Sequence, residues 1–130
     1  MTKTNLLDRY PVYFLEIKKE QTSYNNVDEI IAFFKEKVEA HPIAGFISIF
    51  DHYAHTSSIK DHSIDEDIKD AKNLVFCFGK QLPNTKVLAV RPRSIGVSET
   101  STEFHIALME APNEKLTVTM QEWVKEIVNA

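Results

Sequence analysis

A chain of 130 residues suits one domain of ordinary size, able to bury about two-thirds of the surface that its unfolded form exposes. With 43% hydrophobic and 26% charged residues, and only three Gly and five Pro, the composition excludes the disordered and fibrous classes. Fifteen basic against nineteen acidic side chains give a formal charge of -4, which argues against a nucleic-acid partner or an anionic membrane surface and leaves room only for a local basic patch.

Cys77 stands alone and cannot form an internal disulfide, and Met1 to Arg9 lacks the apolar core of a signal peptide. Both point to a reducing cytoplasm. No apolar run reaches the roughly 20 residues needed to cross a bilayer, so no membrane partner is expected.

Taken in order, Tyr10 to Lys18 reads as the first strand, with Tyr13, Leu15 and Ile17 on one face. Asn26, with Glu29 three residues on, forms a capping box for a helix over Val27 to Ala40, ended by Pro42. Val27, Ile30, Ile31, Phe34 and Val38 make its apolar stripe, which a sheet face must cover. Phe46 to Phe50 is apolar on both faces and reads as a central strand. The segment from Asp51 to Asp70 is irregular, with a short helix suggested by Ser63, Glu66, Ile64 and Ile68.

Asn73 to Gly79 is a third, central strand, and Lys86 to Arg91 a fourth, antiparallel to it. Pro92 interrupts that ladder, and Ser94 to Ser98 continues as a short or edge segment. Glu103 to Met109 is the last strand. The final helix, with Met120, Trp123, Val124 and Ile127 in its stripe, has two possible caps, Asn113 and Thr119; the β-branched run Thr117 to Thr119 favours the later start. Residues 1–130 form a single α+β domain, a two-layer sandwich of mostly antiparallel sheet with two main helices packed on one face. One strand-helix-strand unit near the start can supply a parallel pair.

Two clusters carry chemistry. At the end of the second strand, Asp51, His52 and His55, with His62 beyond, offer imidazole and carboxylate donors suited to zinc or non-haem iron. The spacing is not that of His-Glu-x-x-His, so no metal site is assigned, and no cofactor is identified. Asp51 and His52 can instead orient a ligand or act as an acid-base pair; the plain reading makes Asp51 a turn carboxylate that accepts backbone N–H bonds. Cys77, between Phe76 and Phe78, reads as an inert packed thiol. Arg91-Pro92-Arg93, with Lys80 and Lys86, is the one basic cluster of an acidic chain, suited to a carboxylate or phosphate or to plain solvated charge.

Gly45-Phe46-Ile47-Ser48-Ile49-Phe50-Asp51-His52, followed by Leu74-Val75-Phe76-Cys77-Phe78-Gly79-Lys80, resembles the bacterial domain-of-unknown-function family 302 over roughly the middle half of the chain. Gly79-Lys80-Gln81-Leu82-Pro83 stands where that family carries Gly-Asn-Pro, and a separate, related uncharacterised family is the alternative. The resemblance implies an antiparallel α+β domain with Asp51 and His52 close to the Gly79 turn, and no reaction.

The reading is thus a small bacterial cytoplasmic protein, a homodimer, that binds a small, anionic ligand near the Asp51-His52 strand end, with Arg91 or Arg93 neutralising its charge. The alternatives are a metal-dependent or acid-base enzyme using Asp51, His52 and His55, and an accessory module that contacts a protein partner.

Overall fold

The computed structural model describes residues 1–129. Six strands, β1 (Thr2–Leu6), β2 (Tyr10–Lys18), β3 (Ala44–Asp51), β4 (Asp70–Phe78), β5 (Arg93–Glu99) and β6 (Glu103–Met109), form one sheet in the order β1-β2-β6-β5-β4-β3. Every pairing is antiparallel. The expected parallel pair is absent because β2 and β3, which flank the first helix, are separated by three other strands.

Helix α1 (Val27–Ala40) has the predicted bounds. The Asn26 side chain accepts from the Glu29 N–H at 2.8 Å, and the Glu29 carboxylate accepts from the Asn25 N–H at 2.7 Å, so the box closes one residue before the cap. All five stripe residues of α1 are buried, at about 1.5–3 kcal/mol each relative to exposure. They meet Leu74, Phe76 and Phe78 of β4, Ile95 and Val97 of β5, and Phe104, Ile106 and Leu108 of β6 in one core. Helix α3 (Glu114–Lys125) adds Met120, Trp123 and Val124, with Trp123 against Phe76 and Phe78. The two main helices thus cover one face. The opposite face carries small and polar residues at its centre, including Asn73, Ser94, Gly96, Ser98 and Ala107, as an antiparallel sheet with one wet side requires.

Four expectations are corrected. The strand containing Phe46 to Phe50 lies at the sheet's edge, not its centre; Ile47, Ile49 and Phe50 are 52%, 45% and 38% exposed, and the register shifts between Phe46 and Ser48. The short helix after it is α2 (His52–Ser57), because the Asp51 carboxylate accepts the Ala54 N–H at 2.9 Å; at the expected position Asp65 instead makes a turn with the Asp67 N–H. Lys86 to Arg91 is no strand: Asn84 caps a 3-10 helix over Thr85–Ala89, accepting from the N–H groups of Lys86 and Val87. The strand beside β4 is therefore β5, which is interior rather than an edge.

Helix α3 takes the earlier of its two starts. The Asn113 side chain accepts from the Lys115 N–H, and the buried Thr117 hydroxyl accepts from the Ala111 N–H at 2.9 Å. Thr117 is β-branched yet favours the helix here, because its hydroxyl ties the preceding chain down. Thr119 does not cap; its hydroxyl donates back to the Lys115 carbonyl. Strand β1 was not foreseen, since all five of its residues are exposed and its turn to β2 uses Leu7 and Asp8, both at positive φ, in place of Gly or Asn.

Candidate functional site

The predicted site residues fall at opposite ends of the sheet. Asp51 pairs with Lys72, whereas Ala44, at the other end of β3, pairs with Phe78 next to Gly79. Seven residues of strand, about 23 Å, separate Lys72 from Gly79. The Asp51-His52 end is therefore remote from the Gly79 turn, contrary to what the resemblance implies, and no single ligand of modest size reaches both His52 and Arg93.

At the first end, the chemistry of Asp51 is largely taken up by structure. One carboxylate oxygen caps α2, and the other lies 3.8 Å from the Lys72 ammonium. Lys72 also donates a hydrogen bond to Asp28 of α1, and that bond is the main cause that raises its pKa above the usual 10.5, against the lowering effect of burial. His52 Nδ1 lies 3.3 Å from the Asn73 side-chain oxygen. His52 and His55 both pack against Phe50, with their own ring centroids 6.5 Å apart. The donors of Asp51, His52 and His55 do not gather within 4.8 Å of one another. A hollow of about 320 Å³ adjoins them, bordered by His52, Tyr53, Thr56, Ser63 and Asp65 over an apolar floor of Ile64, Ile68 and Ala71. His55 is not part of its wall.

At the second end, the sheet, the 3-10 segment and α3 border an open cavity of about 270 Å³ with walls from Ile43, Phe78, Val87, Val90, Ala111 and Leu116. Arg91 and Arg93 border it, as does Asn113 at the N-terminus of α3. Arg93 pairs with Phe76 in register, which sets it in the same row as Ile95 and Val97, facing the helices. The Arg93 guanidinium is half-buried there, and that partial desolvation lowers its pKa from the usual value.

Both arginines bond only to backbone oxygens. Arg93 Nη2 donates to the carbonyls of Met109 (2.5 Å) and Glu110 (2.9 Å), tying the start of β5 to the end of β6. Arg91 Nη1 donates to the Gln81 carbonyl at 2.6 Å and steadies the loop that follows β4. Among the described residues neither has an acidic partner within 4.0 Å. Two half-buried positive charges without a counter-charge, beside the positive end of a helix dipole, create a field that favours an anion. The apolar walls favour a hydrocarbon body attached to it.

The arginine pair was visible in the sequence as a basic cluster, but the walls were not. They come from five separate segments, and only the sheet order and the early start of α3 bring them together. Among the described residues, no helix is long and apolar enough to cross a membrane. No curated protein and no solved structure matches the chain. The likeness to family 302 is not upheld, whereas another family model matches residues 1–129, nearly the whole length. The chain belongs to that family, described as a family of unknown function (DUF6858).

Proposed function

We propose that the protein binds a small organic anion, a carboxylate on an apolar body, in the cavity bordered by Arg91 and Arg93. The observation that carries this reading is the pair of half-buried guanidinium groups whose bonds go only to carbonyl oxygens. A carboxylate entering the cavity gains charge-assisted, directional hydrogen bonds from a donor fork suited to it, and supplies a counter-charge to half-buried guanidinium groups that have only carbonyl partners. The volume lies just below the usual range of ligand pockets, about 300–1,000 Å³, which suits a compact body with a single head group. Arg93 holds the frame, because its carbonyl contacts fasten two strands. Arg91, with one carbonyl contact, has more donors left for a ligand.

The anion expected near the Asp51-His52 strand end is thus assigned to the other end of β4. A second reading keeps the ligand at the His52 hollow, where His52, Tyr53, Thr56 and Asp65 offer hydrogen bonds to a neutral or cationic molecule. Catalysis by Asp51, His52 and His55 is less well supported, because Asp51 is committed to capping α2. The proposed setting is a reducing bacterial cytoplasm, in keeping with the lone thiol of Cys77. For the homodimer, the two exposed sheet edges, β1 and β3, are available surfaces, and β3 offers the more apolar one with Ile47, Ile49 and Phe50.

A thermal-shift panel of organic acids, their amides and nucleotides tests the proposal. Stabilisation by apolar carboxylates, reduced in Arg91→Gln and kept in His52→Ala, is the expected outcome. Stabilisation that follows His52 instead transfers the site to the other hollow.

A further inference from the structure

The wet face of the sheet carries a cluster that neither end of β4 accounts for. Glu16 on β2 stands directly opposite His105 on β6, and Glu103, two residues before His105, projects from the same face. His105 Nε2 is 3.2 Å from a Glu103 carboxylate oxygen and 3.9 Å from one of Glu16. One donor atom from each residue lies within 4.8 Å of the others, and among the described residues this trio alone of its kind does so.

We propose that Glu16, Glu103 and His105 form a binding site for a divalent first-row transition-metal ion, with zinc as the reference case. Bonds of about 2.0–2.2 Å to nitrogen and oxygen in tetrahedral array set neighbouring donors about 3.3–3.6 Å apart. The two separations from His105, 3.2 and 3.9 Å, bracket that spacing, and the two carboxylates offer oxygens within 4.8 Å of each other, so closing the site requires the glutamate side chains to draw together around the ion. All three residues sit on paired strands rather than loops, which fixes their spacing before any ion arrives.

Further contacts hold the frame. The Phe14 ring meets His105 edge-on, with centroids 5.4 Å apart and planes at 73°. The Glu103 N–H donates to the Thr100 hydroxyl at 3.0 Å, and its carbonyl accepts from the Thr100 N–H at 2.9 Å. Charge favours occupancy too. Among the described residues no Lys or Arg nitrogen lies within 4.0 Å of either carboxylate; Lys18 stands opposite Glu103 in register on the same face but is exposed and makes no ion pair with it, so the two carboxylates face one imidazole at close range. A protonated imidazole offsets one of them, whereas a divalent ion offsets both. The imidazole selects against calcium and magnesium, which take oxygen ligands, and three protein donors leave the fourth position open to solvent.

The test is calorimetric titration of the untagged full chain, stripped with chelator, using zinc chloride, together with the visible spectrum of the cobalt-loaded protein. One ion per chain is expected, retained in His52→Ala/His55→Ala, weakened about tenfold or more in Glu16→Gln and lost in His105→Ala. Unchanged circular dichroism checks the fold of each variant, and if His105→Ala fails to fold the exposed Glu16→Gln decides. Failure of the wild type to take up one ion, equal binding by wild type and Glu16→Gln, or loss in His52→Ala/His55→Ala overturns the proposal.

Discussion

Arg91 is folded over Gly79. A Cβ built on Gly79 would lie 2.8 Å from Arg91 Nη2, and Gly79 itself has a φ of +103°, where side chains are strained. The glycine both turns the chain out of β4 and clears the space in which the guanidinium rests beside the cavity. Gly79→Ala is expected to cost about 1–3 kcal/mol, chiefly from the backbone strain. In an Arg91→Ala background the collision disappears and the strain remains, so the cost should fall but not vanish. Urea denaturation of the four proteins in this cycle checks it; additive costs would show that Arg91 and Gly79 do not interact.

The start of α3 depends on Thr117. Its hydroxyl accepts the N–H of buried Ala111, and Thr117→Val leaves that group unpaired at a cost of about 1–3 kcal/mol. Thr119→Ala removes only a bond back to the Lys115 carbonyl and should change stability by less than about 0.5 kcal/mol. Equal effects from the two substitutions in chemical denaturation would contradict the assigned start.

Lys72 links β4 to Asp28 on α1 and lies near Asp51, and its pKa is raised. A group with a raised folded pKa stabilises fully below its unfolded value, here near 10.5, and loses that contribution as pH rises through the folded value. The stability difference between wild type and Lys72→Met should therefore stay level between about pH 6 and 9 and shrink above about pH 10.5. Its pH-dependent part should be about 0.2–1 kcal/mol, since Asp28 is largely exposed, and should decrease with added salt. A difference that grows at high pH would reverse the assignment.

Strand β2, helix α1 and strand β6 were legible in full because each has one apolar face at the right period, and that face is the one the core buries. Strand β3 misled through the opposite pattern: apolar residues on both faces suggest burial, but here Ile47, Ile49 and Phe50 lie on an open edge. Lys86 to Arg91 is a short apolar run between two charges, as a buried strand would be, yet the cap at Asn84 prevails and winds its first part into a 3-10 helix. Strand β1 has no apolar pattern to read.

The candidate sites were legible only as lists of chemistry-bearing residues. Arg91 and Arg93 stand out in an acidic chain, but that Arg93 faces the helices follows from its register with Phe76. Glu103 and His105 share a face by simple alternation; that Glu16 joins them depends on β2 lying beside β6. Asp51 and His52 adjoin in sequence, and capping of α2 directs the carboxylate inward to the backbone instead of toward a ligand.

The central claim is that Arg91, which has no acidic partner within 4.0 Å among the described residues, presents its remaining guanidinium donors to an anion in an apolar cavity. Calorimetric titration of wild type, Arg91→Gln and His52→Ala with a series of small aryl and branched alkyl carboxylates, each beside its neutral amide, tests it most directly. Saturable one-to-one binding of a carboxylate is predicted, about tenfold or more weaker for its amide and for Arg91→Gln, and unchanged in His52→Ala. Equal affinity for acid and amide, or binding that survives Arg91→Gln and disappears in His52→Ala, would contradict it.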